Sequence, residues 1–271
     1  MDASQTGPQI PYVVAVGASA GGVTPLKEFF RSVSKTSMAQ PAFVVIQHLA
    51  DDHISMMPDI LQRETALPVL TVSENLPLEA STIYLIPAGA NIELRKARKG
   101  LVFGLIGRAT RPDVNLPIDI FFNSMANLLR ERSIAVILSG AGSDGSMGLM
   151  AVKGVGGLVI VQDPSTAEFE SMPQSALDSG RVDYIFPVNE IPLEIENFNR
   201  LSSANGRTLE AALEEDIEGV TNLLTVIGAS NPEWQVRFAG YKRPMVCRRI
   251  AKRMLLSRCA TLADYVTLVR E

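Results

Sequence analysis

Short apolar runs alternate with amphipathic stretches between Tyr12 and Phe186. The apolar runs are rich in β-branched residues and contain few polar positions, as strands do when helices cover both faces of a sheet. In the stretches between them, apolar residues recur three and four positions apart, which is typical of helices that pack on a sheet. This alternation predicts an α/β domain with a doubly wound, mostly parallel sheet. The predicted strands are residues 12–17, 42–47, 82–87, 133–140 and 157–162, and the predicted helices are residues 23–33, 54–67, 117–130 and 146–155.

A hairpin and a helical tail complete the predicted architecture. Residues 92–106 form two short apolar runs around a polar centre, which predicts a small hairpin at an edge of the sheet. The strand pattern ends after Phe186, and residues 208–228 predict one long helix, with two or three shorter helices behind it. We therefore expect a first domain over residues 1–198, a polar linker over 199–207 and a small all-α segment over 208–271.

Composition and charge exclude several classes of protein. Hydrophobic residues make up 46% of the 271 residues and charged residues 20%, which is the composition of a folded chain. The net charge of -4 does not favour nucleic acid as a partner. No apolar run approaches the ~18 residues that cross a bilayer and the first residues form no secretion signal, so we expect a cytoplasmic protein without membrane insertion. The two cysteines, Cys247 and Cys259, form no CxxC pair and predict neither a disulfide nor a zinc site.

The strongest local motif is GASAGG, residues 17–22, between the first predicted strand and the first predicted helix. It fits the pattern G-x-S-x-G, in which small neighbours let a serine sit on a sharp strand-to-helix turn with its hydroxyl exposed. Ser19 is therefore a candidate nucleophile. A glycine loop that binds phosphate at a helix N-terminus is the alternative, although the dinucleotide-binding pattern would need glycine in place of Ser19. The turn alone leaves both interpretations open.

A serine nucleophile needs a base, and the chain has two histidines. His48 directly follows the second predicted strand. Active sites of parallel sheets gather at the carboxyl ends of strands, so His48 is the candidate base. His53 stands beside Asp51 and Asp52 at a helix start, where an exposed residue next to a helix cap is the simpler interpretation. A metal site there would need further ligands, and the sequence supplies none at suitable spacing.

An acid at a third strand end would complete a triad. The glycine-rich loop SGAGSDGSMG, residues 139–148, supplies Asp144 just after an apolar run. Its glycines allow close backbone approach, and the N–H groups near Ala141 are candidate donors to an oxyanion. A plain cap of the following helix is the alternative for Asp144.

Together these motifs resemble those of a known family. GASAGG, QHL (residues 47–49) and SGAGSDG (residues 139–145) are similar, in order and context, to the three motifs of the catalytic domain of the chemotaxis protein-glutamate methylesterases. The resemblance extends over residues 10–195 and includes RPDVNLPIDIFFNSMA, residues 111–126. It implies a serine hydrolase that acts on methyl-accepting chemotaxis receptors.

The resemblance also implies a role for each motif residue. Ser19 would attack a glutamyl methyl ester, His48 would carry the proton, and Asp144 would orient His48. The backbone N–H groups of Ala20 and Ala141 would form the oxyanion hole; many family members have methionine at the latter position. Members of the family also deamidate receptor glutamines. No cofactor and no metal ion are implied.

The chain departs from the family pattern at both ends. A receiver domain usually precedes the esterase, and none is expected here, because the first predicted strand begins near residue 12. Residues 241–254 and 262–268 resemble the N-terminal helical domain of the chemotaxis receptor methyltransferases. This resemblance implies an esterase and methyltransferase fusion, cut before the domain that binds S-adenosylmethionine. The implied partners are the cytoplasmic helical domain of the receptors and the fused or neighbouring methyltransferase domain.

The same motifs are compatible with other functions. A catalytically weak, esterase-like module could bind receptors or regulate the fused methyltransferase with the same motifs in place. A nucleotide-binding domain that uses residues 17–22 would bind its ligand even after Ser19→Ala. The basic residues of the tail predict either a face for acidic receptor helices or a plain solvated surface; they are Lys242, Arg243, Arg248, Arg249, Lys252, Arg253 and Arg258.

Overall fold

The structure, a computed structural model, describes residues 12–34, 36, 41–47, 56–108, 115–202, 209–230 and 241–270. Contacts divide the chain into two compact units, Met1–Leu193 and Glu194–Glu271. The predicted linker begins within a helix that continues to Ser202, and residues 203–208 lie outside the described residues. The domain limits at 198 and 208 stay a prediction.

The first unit is built on a parallel sheet of seven strands in the order β3-β4-β2-β1-β7-β8-β9. All of its strand pairs are parallel, as the apolar runs predict. The predicted strands are confirmed with small shifts at their ends. Strands β3 and β9 were not predicted, because a run of three residues is too short to show the two-residue period of a strand. The strands are β1 (Val13–Ala18), β2 (Ala42–Gln47), β3 (Val69–Thr71), β4 (Ile83–Leu85), β7 (Ser133–Ile137), β8 (Leu158–Gln162) and β9 (Tyr184–Phe186).

The strand order reverses direction beside β1. From β1 the chain first builds the sheet outward on the side of β2, and later returns to add β7 on the other side. In doubly wound sheets, ligands bind outside the carboxyl ends of the strands at such a switch point. The switch point here lies between the strand that precedes Ser19 and the strand that precedes the loop with Asp144.

Amphipathic helices cover the sheet of the first unit. The helix over Val23–Val33 matches its prediction and buries Leu26, Phe29 and Phe30. Proline begins the helix over Pro117–Leu129, a position where its missing N–H costs nothing. The helices of this unit are α1 (Val23–Val33), α2 (Met57–Gln62), α3 (Pro117–Leu129), α4 (Gly148–Gly154) and α5 (Ser171–Asp178), and α6 (Ile191–Ser202) begins in this unit and crosses the boundary.

The predicted hairpin exists, but its predicted place at the sheet edge is wrong. Strands β5 (Ala90–Ala97) and β6 (Gly100–Gly107) form a separate antiparallel sheet. Its apolar side chains, such as Phe103, join the core that α3 also contributes to, and the N–H of Leu94 donates to Ser124 Oγ at 3.1 Å. The hairpin therefore pairs its own backbone and packs on a helix, while β3 and β9 form the edges of the main sheet.

The described part of the second unit is helical, as predicted. Its further helices are α7 (Leu209–Glu215), α8 (Ile217–Ser230), α9 (Arg243–Leu256) and α10 (Leu262–Arg270). The single long helix predicted over 208–228 is wrong, because the chain breaks at Asp216, whose Oδ1 accepts the N–H of Gly219 at 2.8 Å and so caps α8. Ile217 is consequently exposed, although the helical period places it on the buried stripe.

In the part of the chain that the structure describes, no helix is both long and apolar enough to cross a membrane.

Candidate active site

Ser19 is the first residue after β1 and stands on a tight turn that leads into α1. The N–H of Gly22 donates to the carbonyl oxygen of Ser19 at 3.0 Å, which closes the turn. A Cβ at Gly22 would lie 2.8 Å from that same oxygen, so only glycine fits there. Gly21 has a φ of +66°, in the left-handed region that favours glycine. The glycines of the motif thus make the sharp turn that a serine nucleophile requires.

The loop after β7 runs directly beside Ser19. The N–H of Ser19 donates to the carbonyl oxygen of Ser139 at 3.1 Å, and the N–H of Leu138 donates to that of Gly17 at 2.9 Å. A Cβ at Gly140 would lie 3.0 Å from the Cβ of Ser19. The first and third sequence motifs are therefore in contact through their backbones.

Two buried polar side chains fix this contact, and the sequence analysis did not single them out. The hydroxyl of Ser139 donates to the carbonyl oxygen of Ala20 at 3.1 Å and accepts the N–H of Phe169 at 3.0 Å. Gln162 Oε1 accepts the N–H of Ser139 at 2.8 Å. A glutamine at the end of an otherwise apolar strand was the available signal, because buried amides need partners.

Asp144 is buried, with 3% of its surface exposed. Its Oδ2 accepts the N–H of Ile118 and its Oδ1 accepts the N–H of Asp119, each at 3.0 Å. Both donors belong to the first turn of α3, whose free N–H groups and positive dipole end stabilise a carboxylate. Asp144 is therefore a helix cap, but of α3 and not of α4, the helix that follows it. The capping contact sets the place of its carboxylate.

Asp119 is a second buried acid that the sequence analysis missed. Its Oδ1 accepts the N–H of Gly148, the first residue of α4, at 2.6 Å. Burial raises the pKa of Asp119 above its ordinary value; the N–H of Gly148 opposes the shift, and the charge of Asp144 adds to it. An acid between Ile118 and Ile120 in an apolar helix was the signal that could have drawn attention to it.

The two backbone groups predicted for the oxyanion hole lie on the two loops that meet. Ala20 belongs to the turn of Ser19, and Ala141 is an exposed residue of the loop after β7. Among the described residues, neither N–H donates a hydrogen bond to another group of the protein. The next N–H, that of Gly142, donates to Ser171 Oγ at 3.1 Å, and this hydroxyl also donates to the carbonyl oxygen of Gly140 at 3.2 Å. These contacts to α5 fix the backbone on both sides of Ala141.

His48 lies outside the described residues, as do Asp51, Asp52 and His53. The structure does describe Gln47, the last residue of β2, which pairs in register with Ala18 at the end of β1. The carboxyl end of β2, which precedes His48, therefore lies beside the carboxyl end of β1, which precedes Ser19. Among the described residues, no group of three or more His, Cys, Asp or Glu side chains could hold a metal ion.

The chain matches two family models. Residues 14–195 match the CheB methylesterase model, and residues 234–271 match the model of the CheR methyltransferase all-alpha domain. The predicted likeness to both families is confirmed.

Several proteins are similar to this chain. A putative protein-glutamate methylesterase/protein-glutamine glutaminase of Leptospira interrogans is 31% identical over 194 residues, which are 71% of this chain and 95% of that protein. The protein-glutamate methylesterase/protein-glutamine glutaminase 3 of Burkholderia orbicola is 33% identical over 67% of this chain, which spans 52% of that protein. An uncharacterized 104.1 kDa protein of Rhodobacter capsulatus is 32% identical over 79% of this chain, which spans only 24% of that protein.

The fold has a counterpart among solved structures. The crystal structure of the Thermotoga maritima CheB methylesterase catalytic domain superposes with a TM-score of 0.63 at 27% sequence identity. The match covers 68% of this chain and 96% of that one. This likeness confirms the predicted mostly parallel α/β fold. Because the CheB methylesterase model matches residues 14–195 and two relatives are more than 30% identical to this chain, the chain belongs to the CheB methylesterase family.

Proposed function

We propose that this chain is a serine hydrolase that removes methyl esters from glutamyl side chains of methyl-accepting chemotaxis receptors. The observation that carries the proposal is the direct contact between the turn of Ser19 and the loop that leads to Asp144. This contact lies at the switch point of the parallel sheet, where the fold concentrates binding sites. The relatives in Leptospira and Burkholderia are named for the same reaction.

The first half of the proposed reaction forms an acyl-enzyme. Ser19 Oγ attacks the carbonyl carbon of the glutamyl methyl ester while His48 takes its proton. The tetrahedral intermediate then collapses, its bond to the methoxy oxygen breaks, and His48 returns the proton so that methanol leaves. Asp144 would stabilise the imidazolium of His48 and fix its orientation.

The second half releases the receptor glutamate. A water molecule gives a proton to His48 and attacks the ester that joins the glutamyl group to Ser19. The bond to Ser19 Oγ breaks and this oxygen takes the proton back from His48. The carboxylic acid left on the receptor loses its proton to solvent at neutral pH and becomes a glutamate carboxylate. The reaction consumes one water molecule for each methanol released and needs neither a cofactor nor a metal ion.

The backbone N–H groups of Ala20 and Ala141 are the proposed donors to the oxyanion in both halves. Hydrogen bonds of Ser139 and Ser171 hold the loops on which they lie. Pre-organised donors stabilise the charge that develops in the transition state and cost no reorganisation during the reaction. A backbone donor does not depend on the side chain, so alanine at position 141 is compatible with this role.

Deamidation of receptor glutamines follows from the same chemistry. Ammonia replaces methanol as the leaving group, and the same acyl-enzyme forms. Because the amino group of an amide is a poorer leaving group than the methoxy group of a methyl ester, we expect the glutaminase reaction to be slower than the esterase reaction.

The proposed partner is the cytoplasmic helical domain of the receptors, so we place the activity in the cytoplasm. The CheR-like segment at residues 234–271 supports a fused or neighbouring methyltransferase as a second partner. Such a pair would attach and remove the same methyl group. Cell fractionation with an antibody to this chain tests the location, and recovery in the membrane pellet after a high-salt wash would contradict it.

Methanol release from methylated receptor cytoplasmic fragments tests the function. We expect release by the parent protein and none by Ser19→Ala or His48→Ala. Ser32→Ala, near the far end of α1, is the matched serine control and should release methanol like the parent. Circular dichroism of each variant checks that it is folded.

The outcome also separates esterase from binding module. No release by the parent on several methylated receptors, together with stable receptor binding, would favour the catalytically weak module. Release that survives Ser19→Ala would contradict the serine mechanism.

A further inference from the structure

The carboxylate of Asp119 contacts the segment that directly follows Asp144. Its Oδ1 accepts the N–H of Gly148 at 2.6 Å, and the N–H groups of Gly145 and Met147 also oppose the rise in the pKa of this carboxyl. Only 6% of Asp119 is exposed, so these backbone donors replace water as its partners. Gly145 has a φ of +93°, and this left-handed turn directs the backbone after Asp144 toward Asp119.

The contact is reciprocal. Asp144, from the loop, accepts two N–H groups from the start of α3, and Asp119, from the start of α3, accepts the N–H of the first residue of α4. Asp144 therefore attaches the loop to the start of α3, and Asp119 attaches the start of α3 to the start of α4. A Cβ at Gly148 would lie 3.2 Å from Asp119 Oδ1 and 2.7 Å from Phe122 Cβ, so the approach of the two segments depends on glycine there.

This arrangement determines where the carboxylate of Asp144 can lie. If Asp119 lost its carboxylate, the segment 145–148 would lose the buried acceptor of the Gly148 N–H while Asp144 kept its own bonds to α3. The loop could then tilt about Asp144. Displacement of a catalytic group by about 1 Å can cost about 10²-fold in rate. A small tilt is therefore enough to affect the reaction without unfolding the domain.

We propose that Asp119 is a positioning residue that acts through Asp144. The inference rests on the proposed function, because Asp144 has a catalytic role only if the chain is the esterase. Asp119 touches no reacting atom. Its carboxylate contacts the backbone that follows Asp144 and thereby sets the orientation of Asp144.

Methanol release by Asp119→Ala and Asp119→Asn tests the proposal. We expect Asp119→Ala to lower kcat by about 10-fold to 100-fold, with KM changed less than about threefold, because substrate contacts stay intact. Asp119→Asn keeps an oxygen acceptor for Gly148 and should recover part of this loss. If Asp119→Ala fails to fold, the asparagine variant alone still decides, since kcat equal to that of the parent would overturn the proposal.

Asp183→Asn is the matched control. Asp183 is also a buried acid, which accepts the N–H of Val159 at 3.0 Å and pairs with Lys153, near the amino end of β8. A loss of stability alone should appear in both asparagine variants. Only the variants of Asp119 should lower kcat.

A second background shows whether Asp119 acts through Asp144. In the Asp144→Asn background, we expect Asp119→Ala to change the residual kcat by less than about threefold, because residues that act as one unit are not additive. An equal loss in both backgrounds would show that Asp119 acts independently, and kcat unchanged by both Asp119 variants in the parent would also overturn the proposal. No Ser19-dependent release by the parent would instead overturn the proposed function itself.

Discussion

Asp144 and Asp119 are two buried acids that exchange helix caps: Asp144 Oδ1 accepts the N–H of Asp119 at 3.0 Å, and Asp119 Oδ1 accepts the N–H of Gly148 at 2.6 Å. Two carboxylates at close range repel each other, and each one here is stabilised by N–H groups at the start of a helix. The proposed acid of the triad therefore owes its position to the backbone of its neighbours.

Asp144→Asn should abolish most of the activity and leave the domain folded. The amide oxygen can still accept one N–H of α3, but the negative charge that orients the base is lost. We expect kcat to fall by about 10³-fold to 10⁴-fold, as it does when a triad acid is replaced by its amide. Asp264→Asn removes the charge of another capping acid, which accepts the N–H of Thr261 at 3.1 Å, and should leave kcat unchanged. Retention of a tenth of the parent kcat by Asp144→Asn would contradict the role.

Gly22→Ala should distort the turn of Ser19. The added methyl group would lie 2.8 Å from the carbonyl oxygen of Ser19 and from Ala18 Cβ, so the backbone must move. We expect a loss of about 1–3 kcal/mol in the free energy of unfolding together with a large loss of kcat. Gly154→Ala, where a Cβ would meet nothing within 4 Å, is the control and should change neither quantity appreciably. If the two variants have the same free energy of unfolding in urea, the added methyl group at position 22 does not crowd the turn.

The pKa of Asp119 predicts a pH-dependent stability. Because burial raises the pKa in the folded state, the folded chain binds more protons than the unfolded chain between the ordinary pKa of aspartate and the raised one. The contribution of Asp119 to stability therefore falls as the pH rises through this interval. The free energy of unfolding of Asp119→Asn relative to the parent should rise with pH over the same interval and then level off. Urea unfolding at a series of pH values measures the difference, and a difference that falls with pH would mean a lowered pKa.

Phe169 should contribute to substrate binding. This residue is 42% exposed, and its Cδ2 lies 2.8 Å from the place of a Cβ on Gly21, so an apolar surface adjoins the nucleophile turn. Covering this surface with a receptor helix would be worth about 1 kcal/mol, so Phe169→Ala should raise KM about fivefold and leave kcat nearly unchanged. Leu70→Ala is matched in exposure, at 41%, but lies on the edge strand β3. If the two variants share one KM, Phe169 does not contact the substrate.

The second unit should depend on its own apolar core. Leu223 is fully buried there among helices α7 to α10, with Cys247 and Met254 in the same cluster. Leu223→Ala should lower the free energy of unfolding of this unit by about 2–5 kcal/mol. Leu268→Ala, at a position 45% exposed, should cost far less. Thermal or urea unfolding followed by circular dichroism compares the two variants, and similar midpoints would contradict the described core.

Local pattern was sufficient for the elements that depend on local chemistry. The period of apolar residues predicts α1 with its observed limits, and the glycines of the motif predict the turn of Ser19. The same patterns failed where a contact with a distant residue decides. The packing of the hairpin on α3 is such a case. The break at Asp216 is a local one, because its side chain caps the N–H of Gly219, three residues on, and the period of apolar residues does not show this contact.

The sequence by itself determined the α/β pattern, the strand ends that carry Ser19 and Asp144, and the family, because strand periodicity and turn glycines act over a few residues. Only the tertiary structure decided that β7 pairs with β1, that the loop of Gly140 touches Ser19, and that Asp119 and Asp144 cap each other's segments. These relationships join residues that are far apart in the chain, and burial of the shared core, not local propensity, brings them together.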